Sequence, residues 1–248
     1  MELHIAIVPE KLGELFGIPV TNTLLTSWLV IAALAVFAFF VSRSLNEKKP
    51  GAVQNFIEML FAYVFDFMEE VLGDRKKVLA FFPLIATLFL FVWASNWAEF
   101  IPGVGSIGIG GECGKAVCEP LFRSVNTDLN VTIALALISV AVTEVAGIMH
   151  LGGLGYARKF LNFSSPLNFF IGLIELVSEM ARLIAFSFRL FGNVFAGEVL
   201  ILVLTAFLPL VLPVPFMLFE LFVGFIQAAI FALLTLFFIK IAITQPEH

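Results

Sequence analysis

The sequence predicts an all-α, polytopic membrane protein: three ordinary transmembrane spans, one interfacial amphipathic helix and a C-terminal hairpin of two long tilted helices in a single integral membrane domain. Of its 248 residues, 60% are hydrophobic and 13% are charged, whereas about 25% of a typical soluble domain is charged. The mean hydropathy is +1.04. Thirty phenylalanines suit lipid-facing helices better than a water-exposed surface. A lipid bilayer is therefore the predicted surrounding, and no nucleic-acid partner is expected.

The first two predicted elements are an N-terminal tail, residues 1–22, and a span over residues 24–43. No basic region precedes the span, so we expect it to be retained rather than cleaved as a signal peptide. Arg43, Lys48 and Lys49 follow it, and such cations favour the cytoplasmic side of a membrane. The N-terminus is therefore predicted on the outer side.

The next segment, residues 52–72, alternates apolar and acidic side chains with helical spacing. This pattern predicts a helix that lies in the membrane interface and does not cross it. A basic patch at residues 75–77 then leads into the second span, residues 78–98. Trp93 and Trp97 near its end suit the opposite interface, because tryptophan is enriched there.

A glycine-rich loop, residues 99–127, is predicted on the outer face. It contains Cys113 and Cys118, five positions apart, which form a disulfide or remain two free thiols; the spacing permits either. No histidine accompanies them, so no metal site is expected. The third span, residues 129–151, returns to the cytoplasmic side, and the glycines of residues 152–155 predict a turn.

The last two apolar stretches, residues 166–207 and 213–243, exceed the roughly 20 residues that one crossing needs. Each helix must therefore tilt strongly or extend beyond the lipid. Pro209, Pro213 and Pro215 predict the turn between them. The pair runs outward and then inward, which places the C-terminus in the cytoplasm.

Arg189 is the most informative single residue, because it lies within the apolar run of residues 183–202. A guanidinium at membrane depth costs at least about 2.5 to 3.5 kcal/mol unless a partner or water reaches it. Further polar residues occur on the two long helices. They are Glu175, Glu179, Asn193 and Glu198 on the first helix and Glu220 and Gln227 on the second.

Helical geometry arranges these polar residues into two groups. At 100° per residue, a polar stripe on the first long helix includes Glu175, Arg189 and Asn193, with Glu179 at its margin and Glu198 on a different face. Glu220 and Gln227 are seven apart and share a face of the second helix.

Two aqueous entries separated by a fixed cation follow from this arrangement. The predicted cytoplasmic entry contains Glu175 and Glu179, with Glu144 as a further candidate; the outer entry contains Glu198 and Glu220, with Asp128 as a further candidate. A continuous pore would leak, whereas a fixed positive charge in a low-dielectric gap repels a passing proton or other cation.

The alternative interpretation of these residues is structural. Arg189 would then form a buried pair with Glu220 or Glu198. The remaining polar side chains would be solvated near the membrane boundary, would hydrogen-bond between helices, or would belong to the core; these are Glu175, Glu179, Asn193, Gln227 and Glu144.

Residues 187–198, SFRLFGNVFAGE, closely resemble the signature of the a-subunit of F-type ATP synthases, the stator half of the proton channel. Residues 127–132, 152–156 and 224–232 resemble the same family in the expected order. The resemblance extends from about Trp28 onward, and it has no counterpart for the two cysteines.

The resemblance implies a set of roles and partners. In that family the arginine matched by Arg189 faces a rotating ring of c-subunits, each with a membrane carboxylate. The arginine attracts the deprotonated carboxylate and lowers its pKa, so that a proton is released on one side before another is taken up on the other. The positions matched by Asn193, Glu198, Glu220 and Gln227 line the outer half-channel, and the match of Glu175 belongs to the inner one. The implied partners are the c-ring, the b-subunit peripheral stalk and the rest of the complex, in a bacterial inner membrane.

Other function classes find less support in the sequence. No phosphate-binding GxxxxGK[ST] run occurs, so we expect neither a nucleotide site nor a cofactor in this chain. A secondary transporter commonly shows two related halves with interrupted helices, and no such repeat is visible. An intramembrane hydrolase would carry a motif such as HExxH or GxSxG, and neither is present.

Overall fold

The computed structural model describes residues 8–15, 17–46, 50–101, 104, 108–109, 119–160, 165–208 and 211–244. Helices dominate these ranges. They are α1 (Asn22–Ser44), α2 (Ala52–Leu72), α3 (Arg75–Ala98), α4 (Leu129–Leu151), α5 (Gly153–Phe160), α6 (Pro166–Phe207) and α7 (Pro213–Ile243). Two short antiparallel pairs accompany them: β1 (Lys11–Leu15) with β2 (Ile18–Thr21), and β3 (Gly108–Ile109) with β4 (Glu119–Pro120).

Five of these helices, α1, α3, α4, α6 and α7, are long and apolar enough to cross a membrane. At 1.5 Å per residue, α6 is about 63 Å long and α7 about 46 Å, whereas the hydrocarbon core is about 30 Å thick. The predicted all-α, polytopic fold class is confirmed. The assignment of each helix to a span or to the interface stays a prediction.

Side-chain caps begin several of the helices. Thr21 accepts a hydrogen bond from the backbone N–H of Leu24 at α1, Asp74 caps α3, and Ser165 caps α6. Each cap satisfies a backbone donor that the first turn leaves free. Gly73 ends α2 with φ of 72°, a left-handed conformation that favours glycine.

A bundle of α3, α4, α6 and α7 forms the centre of the protein, and the remaining helices pack around it. Its core includes Val92, Phe186, Leu190 and Phe231. Helix α1 packs on α3, α2 packs on α3 and α7, and α5 connects α4 to α6. The bundle therefore leaves much of α6, the helix that carries Arg189, at its surface.

Polar contacts also join the bundle helices. The hydroxyls of Ser139 on α4 and Thr235 on α7 lie 2.8 Å apart, and those of Thr132 on α4 and Ser187 on α6 lie 3.1 Å apart. Hydrogen bonds of this kind stabilise helix association in a membrane, where burial of apolar surface contributes little.

The structure differs from the predicted secondary structure in three places. The β3–β4 pair lies within the predicted loop of residues 99–127. The N-terminal tail contains the β1–β2 hairpin, in which Gly17 has φ of 80°. The glycines predicted as a turn instead end one helix and begin another: Gly152, with φ of 76°, terminates α4, and α5 follows at once. Cys113 and Cys118 lie outside the described residues.

Candidate ion path

Arg189 lies near the middle of α6 with its side chain exposed on the surface of the bundle. Within the described part of the chain it makes no hydrogen bond and no ion pair. The neighbouring residue Leu190 is fully buried against α4 and α7. Helix α6 therefore fixes the backbone of Arg189 while its guanidinium points away from the bundle.

Small residues surround Arg189 on this surface of α6. Ala181, Ala185 and Ala196 are exposed, and Gly192 is half-buried. A methyl group added at Gly192 would meet no atom within 4 Å. Small side chains allow another helix to approach closely, so this surface, which we call the arginine face, has room for a helix against Arg189.

Toward the C-terminal end of α6, four ionisable side chains form an acidic cluster: Glu99, Arg123, Glu198 and Glu220. Arg123 is 8% exposed, and its Nη2 lies 3.7 Å from Oε2 of Glu198, an ion pair longer than a hydrogen bond. The Glu220 carboxylate packs directly against the backbone of Gly197, where a Cβ would collide with it. The missing side chain at Gly197 thus lets α6 and α7 bring two carboxylates together.

Glu99 follows the last residue of α3 and belongs to the same cluster. Burial, followed by repulsion from the carboxylates of Glu198 and Glu220, raises the pKa of Glu99 from 4.5 to about 8. The positive charge of Arg123 offsets only part of this effect. The Glu99 carboxyl therefore holds and releases a proton near neutral pH.

The loop before α4 anchors the acidic cluster to the bundle. The backbone N–H of Arg123 donates to Oγ1 of Thr26, 3.2 Å away, and its Nη1 donates to the carbonyl of Val8, 3.3 Å away. Nδ2 of Asn126 donates to Oδ1 of Asn96 at 2.6 Å, and Asn96 donates to the carbonyl of Gly224 at 2.9 Å. These bonds tie α1, α3 and α7 together beside Glu220.

Asp128 occupies a position with a clear structural task. It caps α4 by accepting from the backbone N–H of Asn130 at 2.9 Å, and its other oxygen accepts from the Thr23 hydroxyl at 2.7 Å. The side chain is 4% exposed. Among the residues that the structure describes, no hydrogen bond or ion pair joins Asp128 to the carboxylates of the acidic cluster.

Two amides lie on the side of the acidic cluster that leads toward Arg189. Gln227 on α7 is 6% exposed, and its Nε2 has no hydrogen-bond partner among the described residues. Asn193 on α6 is half-buried, one helical turn beyond Arg189. Buried donors without a partner are rare in proteins and call for an explanation, such as an ordered water.

Toward the N-terminal end of α6, a second group forms the tyrosine cluster: Glu144, Tyr156, Glu179 and Arg182. Nη1 of Arg182 lies 2.7 Å from Oε2 of Glu179, and its guanidinium carbon is 4.0 Å from the ring centre of Phe238. The Tyr156 hydroxyl donates to Oε2 of Glu144 at 2.8 Å. Glu175, one turn before Glu179, is half-buried.

The predicted residues thus fall into two separate groups, with Arg189 between them along α6. Glu198 lies with Glu220, and Glu179 lies within electrostatic range of the Tyr156 hydroxyl that binds Glu144. Sequence reasoning missed Glu99, Arg123 and Tyr156. Glu99 could have been found from the sequence, because it is a carboxylate that directly follows the predicted span ending at residue 98. No periodic pattern marked Arg123 or Tyr156.

Comparisons with known proteins agree on one family. Residues 24–240 match the family model described as ATP synthase A chain. A protein of Moorella thermoacetica named ATP synthase subunit a is 32% identical over 93% of this chain and 94% of its own length. A protein of Propionigenium modestum named ATP synthase subunit a, sodium ion specific, is 33% identical over 96% of this chain and 80% of its own length. A Geobacter relative named ATP synthase subunit a is 31% identical over 86% of this chain.

Proposed function

Since the chain belongs to the ATP synthase A chain family, and is thus a multi-pass membrane-sector subunit of an F-type ATP synthase, we propose that it forms the two half-channels of the proton path. In this proposal protons reach and leave the carboxylates of a c-subunit ring through these half-channels. Arg189 prevents direct passage between them, so that ion flow turns the rotor and ATP is made elsewhere in the complex.

The observation that carries the proposal is the exposed guanidinium of Arg189 on the arginine face, which pairs with none of the residues that the structure describes. A buried structural pair with Glu198 or Glu220 would place the charge inside the bundle, yet Glu198 pairs with Arg123 and the Arg189 side chain is exposed. A charge in that position needs a partner in the membrane. The ionised carboxylate of a c-subunit helix supplies one, because attraction to Arg189 favours its ionised form.

The two clusters supply the two half-channels. Glu198 is nine residues, about 13.5 Å, from Arg189 along the helix, and Arg182 is seven residues, about 10.5 Å, in the other direction. We assign the acidic cluster to the outer half-channel, with Gln227 and Asn193 leading inward. The tyrosine cluster and Glu175 form the cytoplasmic half-channel. Asp128 lies at the rim of the outer one.

Unsatisfied buried atoms support an aqueous path through the outer half. Oε2 of Glu198 and Nε2 of Gln227 are buried and lack a hydrogen-bond partner within the described residues. Nε2 of Gln227 therefore has the capacity to donate to a water, and Oε2 of Glu198 has the capacity to accept from a water or to bind a proton. A pKa of about 8 for Glu99 suits proton exchange near neutral pH.

The orientation and the neighbours complete the proposal. The N-terminus lies outside and the C-terminus in the cytoplasm of a bacterial inner membrane, because the cations near α1 and α3 favour the cytoplasmic side. The c-ring contacts the arginine face, and a b-subunit stalk holds the chain in place.

The test is Arg189→Ala in the complete complex, reconstituted in vesicles. We expect loss of coupled ATP synthesis under an imposed pH gradient and voltage, because the barrier between the half-channels and the charge that receives the rotor carboxylate are both removed. Arg43→Ala, which removes an exposed arginine in the last turn of α1, is the matched control and should synthesise ATP normally. Normal synthesis by Arg189→Ala would refute the proposal.

The same vesicles identify the ion. The relative from Propionigenium modestum is named as sodium ion specific, so sodium is the second candidate. With protons as the carried ion, a pH gradient drives synthesis in sodium-free buffer and added sodium does not change the rate. Synthesis that depends on sodium would keep the stator role and replace the ion.

A further inference from the structure

Helix α5 inserts a tyrosine between two spans. The helix has eight residues and packs on both α4 and α6. Tyr156 is its most buried described side chain at 4% exposure. Its hydroxyl donates to Oε2 of Glu144 on α4, 2.8 Å away. A helix outside the five candidate spans thus contributes a partly buried hydrogen bond to the cytoplasmic half of the proposed path.

Helix α4 has a notch that fits this ring. A Cβ at Gly147 would collide with the Tyr156 ring at three of its carbons. Gly147 and Glu144 are three residues apart and therefore lie on the same face of α4. One face of α4 thus receives the ring at Gly147 and binds its hydroxyl at Glu144, so the position of Tyr156 is fixed at both ends.

The charged pair of α6 acts on the same hydroxyl through electrostatics. Glu179 and Arg182 both lie within electrostatic range of Tyr156. Burial raises the pKa of Tyr156 above its usual value, and the hydrogen bond to Glu144 together with the charges of Glu144 and Glu179 raises it further. The hydroxyl therefore stays protonated at neutral pH and remains a donor to Glu144.

We propose that Tyr156 is a positioning residue of the cytoplasmic half-channel: its hydroxyl holds the Glu144 carboxylate in a fixed position on α4, and Glu144 exchanges protons with the cytoplasm. This inference rests on the proposed function. The Glu144 side chain is half-buried, so it lies between the interior and the surface. The proton binds to and leaves a carboxylate oxygen of Glu144, while the tyrosine O–H bond stays intact.

The test is Tyr156→Phe, which keeps the ring in the notch and removes only the hydroxyl. Proton transfer requires donor and acceptor at hydrogen-bond distance, and a small misplacement lowers its rate strongly. We expect passive proton flux through the membrane sector to fall about threefold to tenfold. The flux is measured in vesicles from which the catalytic sector has been removed, driven by a potassium diffusion potential and divided by the amount of this chain.

A double-variant comparison separates positioning from a merely structural role. Glu144→Gln keeps an oxygen that accepts from Tyr156 but cannot exchange protons, so its flux should fall at least as far. Because the hydroxyl acts through Glu144, adding Tyr156→Phe to Glu144→Gln should cause no further loss. Tyr63→Phe changes the only other tyrosine of the chain, which is exposed on α2, and is the matched control with normal flux.

Several results would overturn the inference: wild-type flux in Tyr156→Phe or in Glu144→Gln, additive losses in the double variant, or less assembled chain with normal flux per chain. If Tyr156→Phe reduces assembly and flux together, the flux of Glu144→Gln is the deciding measurement, since this variant retains the packing of the tyrosine ring. Reduced flux in Glu144→Gln supports the inference, and wild-type flux overturns it. Arg189→Ala in parallel separates the two proposals. Loss of coupled synthesis there with normal flux in Tyr156→Phe defeats only this inference, whereas retained synthesis in Arg189→Ala defeats the proposed function.

Discussion

Glu99 shows how the environment of one residue sets its chemistry. It lies just beyond α3, among the carboxylates of Glu198 and Glu220, and the single cation of the cluster, Arg123, is paired with Glu198. Three carboxyls and one guanidinium cannot all be charged at low cost in a buried site. Burial is the main reason that the pKa of Glu99 is about 8, and the proton on Glu99 also relieves the repulsion from Glu198 and Glu220.

This raised pKa predicts how stability depends on pH. Between pH 4.5, the ordinary value, and about 8, the folded chain holds a proton on Glu99 that the unfolded chain has released. Stability therefore falls as pH rises through this window and levels off above it. Glu99→Gln removes the ionisation, so we expect its melting temperature in detergent to fall less than that of the wild type between pH 5 and pH 8.

The control for this prediction is Glu70→Gln, which changes an exposed carboxylate on α2. Its melting temperature should follow the wild-type pH dependence. An identical pH dependence in Glu99→Gln and the wild type would show that Glu99 is ionised in the folded chain throughout the range.

The sequence predicted some of these residues and not others, for physical reasons. A charge within an apolar run is visible from composition alone, which made Arg189 prominent. Pairing of Arg123 with Glu198 depends on how a loop folds back onto α6, and no local periodicity encodes that contact. The helical wheel placed Glu179 at the margin of the stripe, whereas the structure buries it to 8% exposure, because α5 and α7 cover that part of α6.

At the scale of elements, α5 is the clearest case in which tertiary contacts decide local structure. Its sequence contains two glycines in its first three residues, and glycine is about 1 kcal/mol less favourable than alanine in a helix. Eight residues are also too few to be helical alone in water. Packing of Tyr156 into the notch at Gly147 supplies the stability that the local sequence lacks for a helix. Because this contact is tertiary, the glycines alone predicted only a turn.

Gly147→Ala tests this dependence of α5 on its notch. The added methyl group collides with a ring that burial and a hydrogen bond hold in place, so we expect a loss of about 1 to 3 kcal/mol of stability, as for other overpacked sites. We also expect faster proteolysis within α5, because the helix leaves the bundle. Gly155→Ala is the control, since its new methyl group meets nothing closer than 3.9 Å; equal protease resistance in all three proteins would contradict the argument.

For the whole molecule, length and hydropathy were sufficient to predict the fold class, because lipid allows only a few backbone arrangements. They did not determine which helices touch. The packing of α4 against both α6 and α7 follows from small and hydroxyl-bearing side chains in three dimensions, such as Ser139 and Thr235. The same packing decides which side of α6 stays open, and therefore on which side Arg189 is accessible.

Cross-linking tests the position of the arginine face in the assembled complex. Ala185 is exposed one turn before Arg189, whereas Ala232 on α7 is 5% exposed within the bundle. In a chain whose two native cysteines are replaced by serine, we expect Ala185→Cys to form a disulfide with a cysteine placed beside the membrane carboxylate of the c-subunit. Ala232→Cys should form none, because α3 and α4 cover it.

The comparison distinguishes a rotor on the arginine face from a rotor elsewhere. Oxidation is followed by the appearance of a band that contains both subunits, and ATP-driven rotation should stop when the band forms and resume on reduction. Cysteines at Ala181 and Ala196 extend the test along the same face, and a docked helix should reach at least one of them. Cross-links from Ala232 with none from the three exposed alanines would place the rotor on another side of the bundle. In that case Arg189 would have no partner on its open face, and the cost of a lipid-exposed guanidinium would have no compensation.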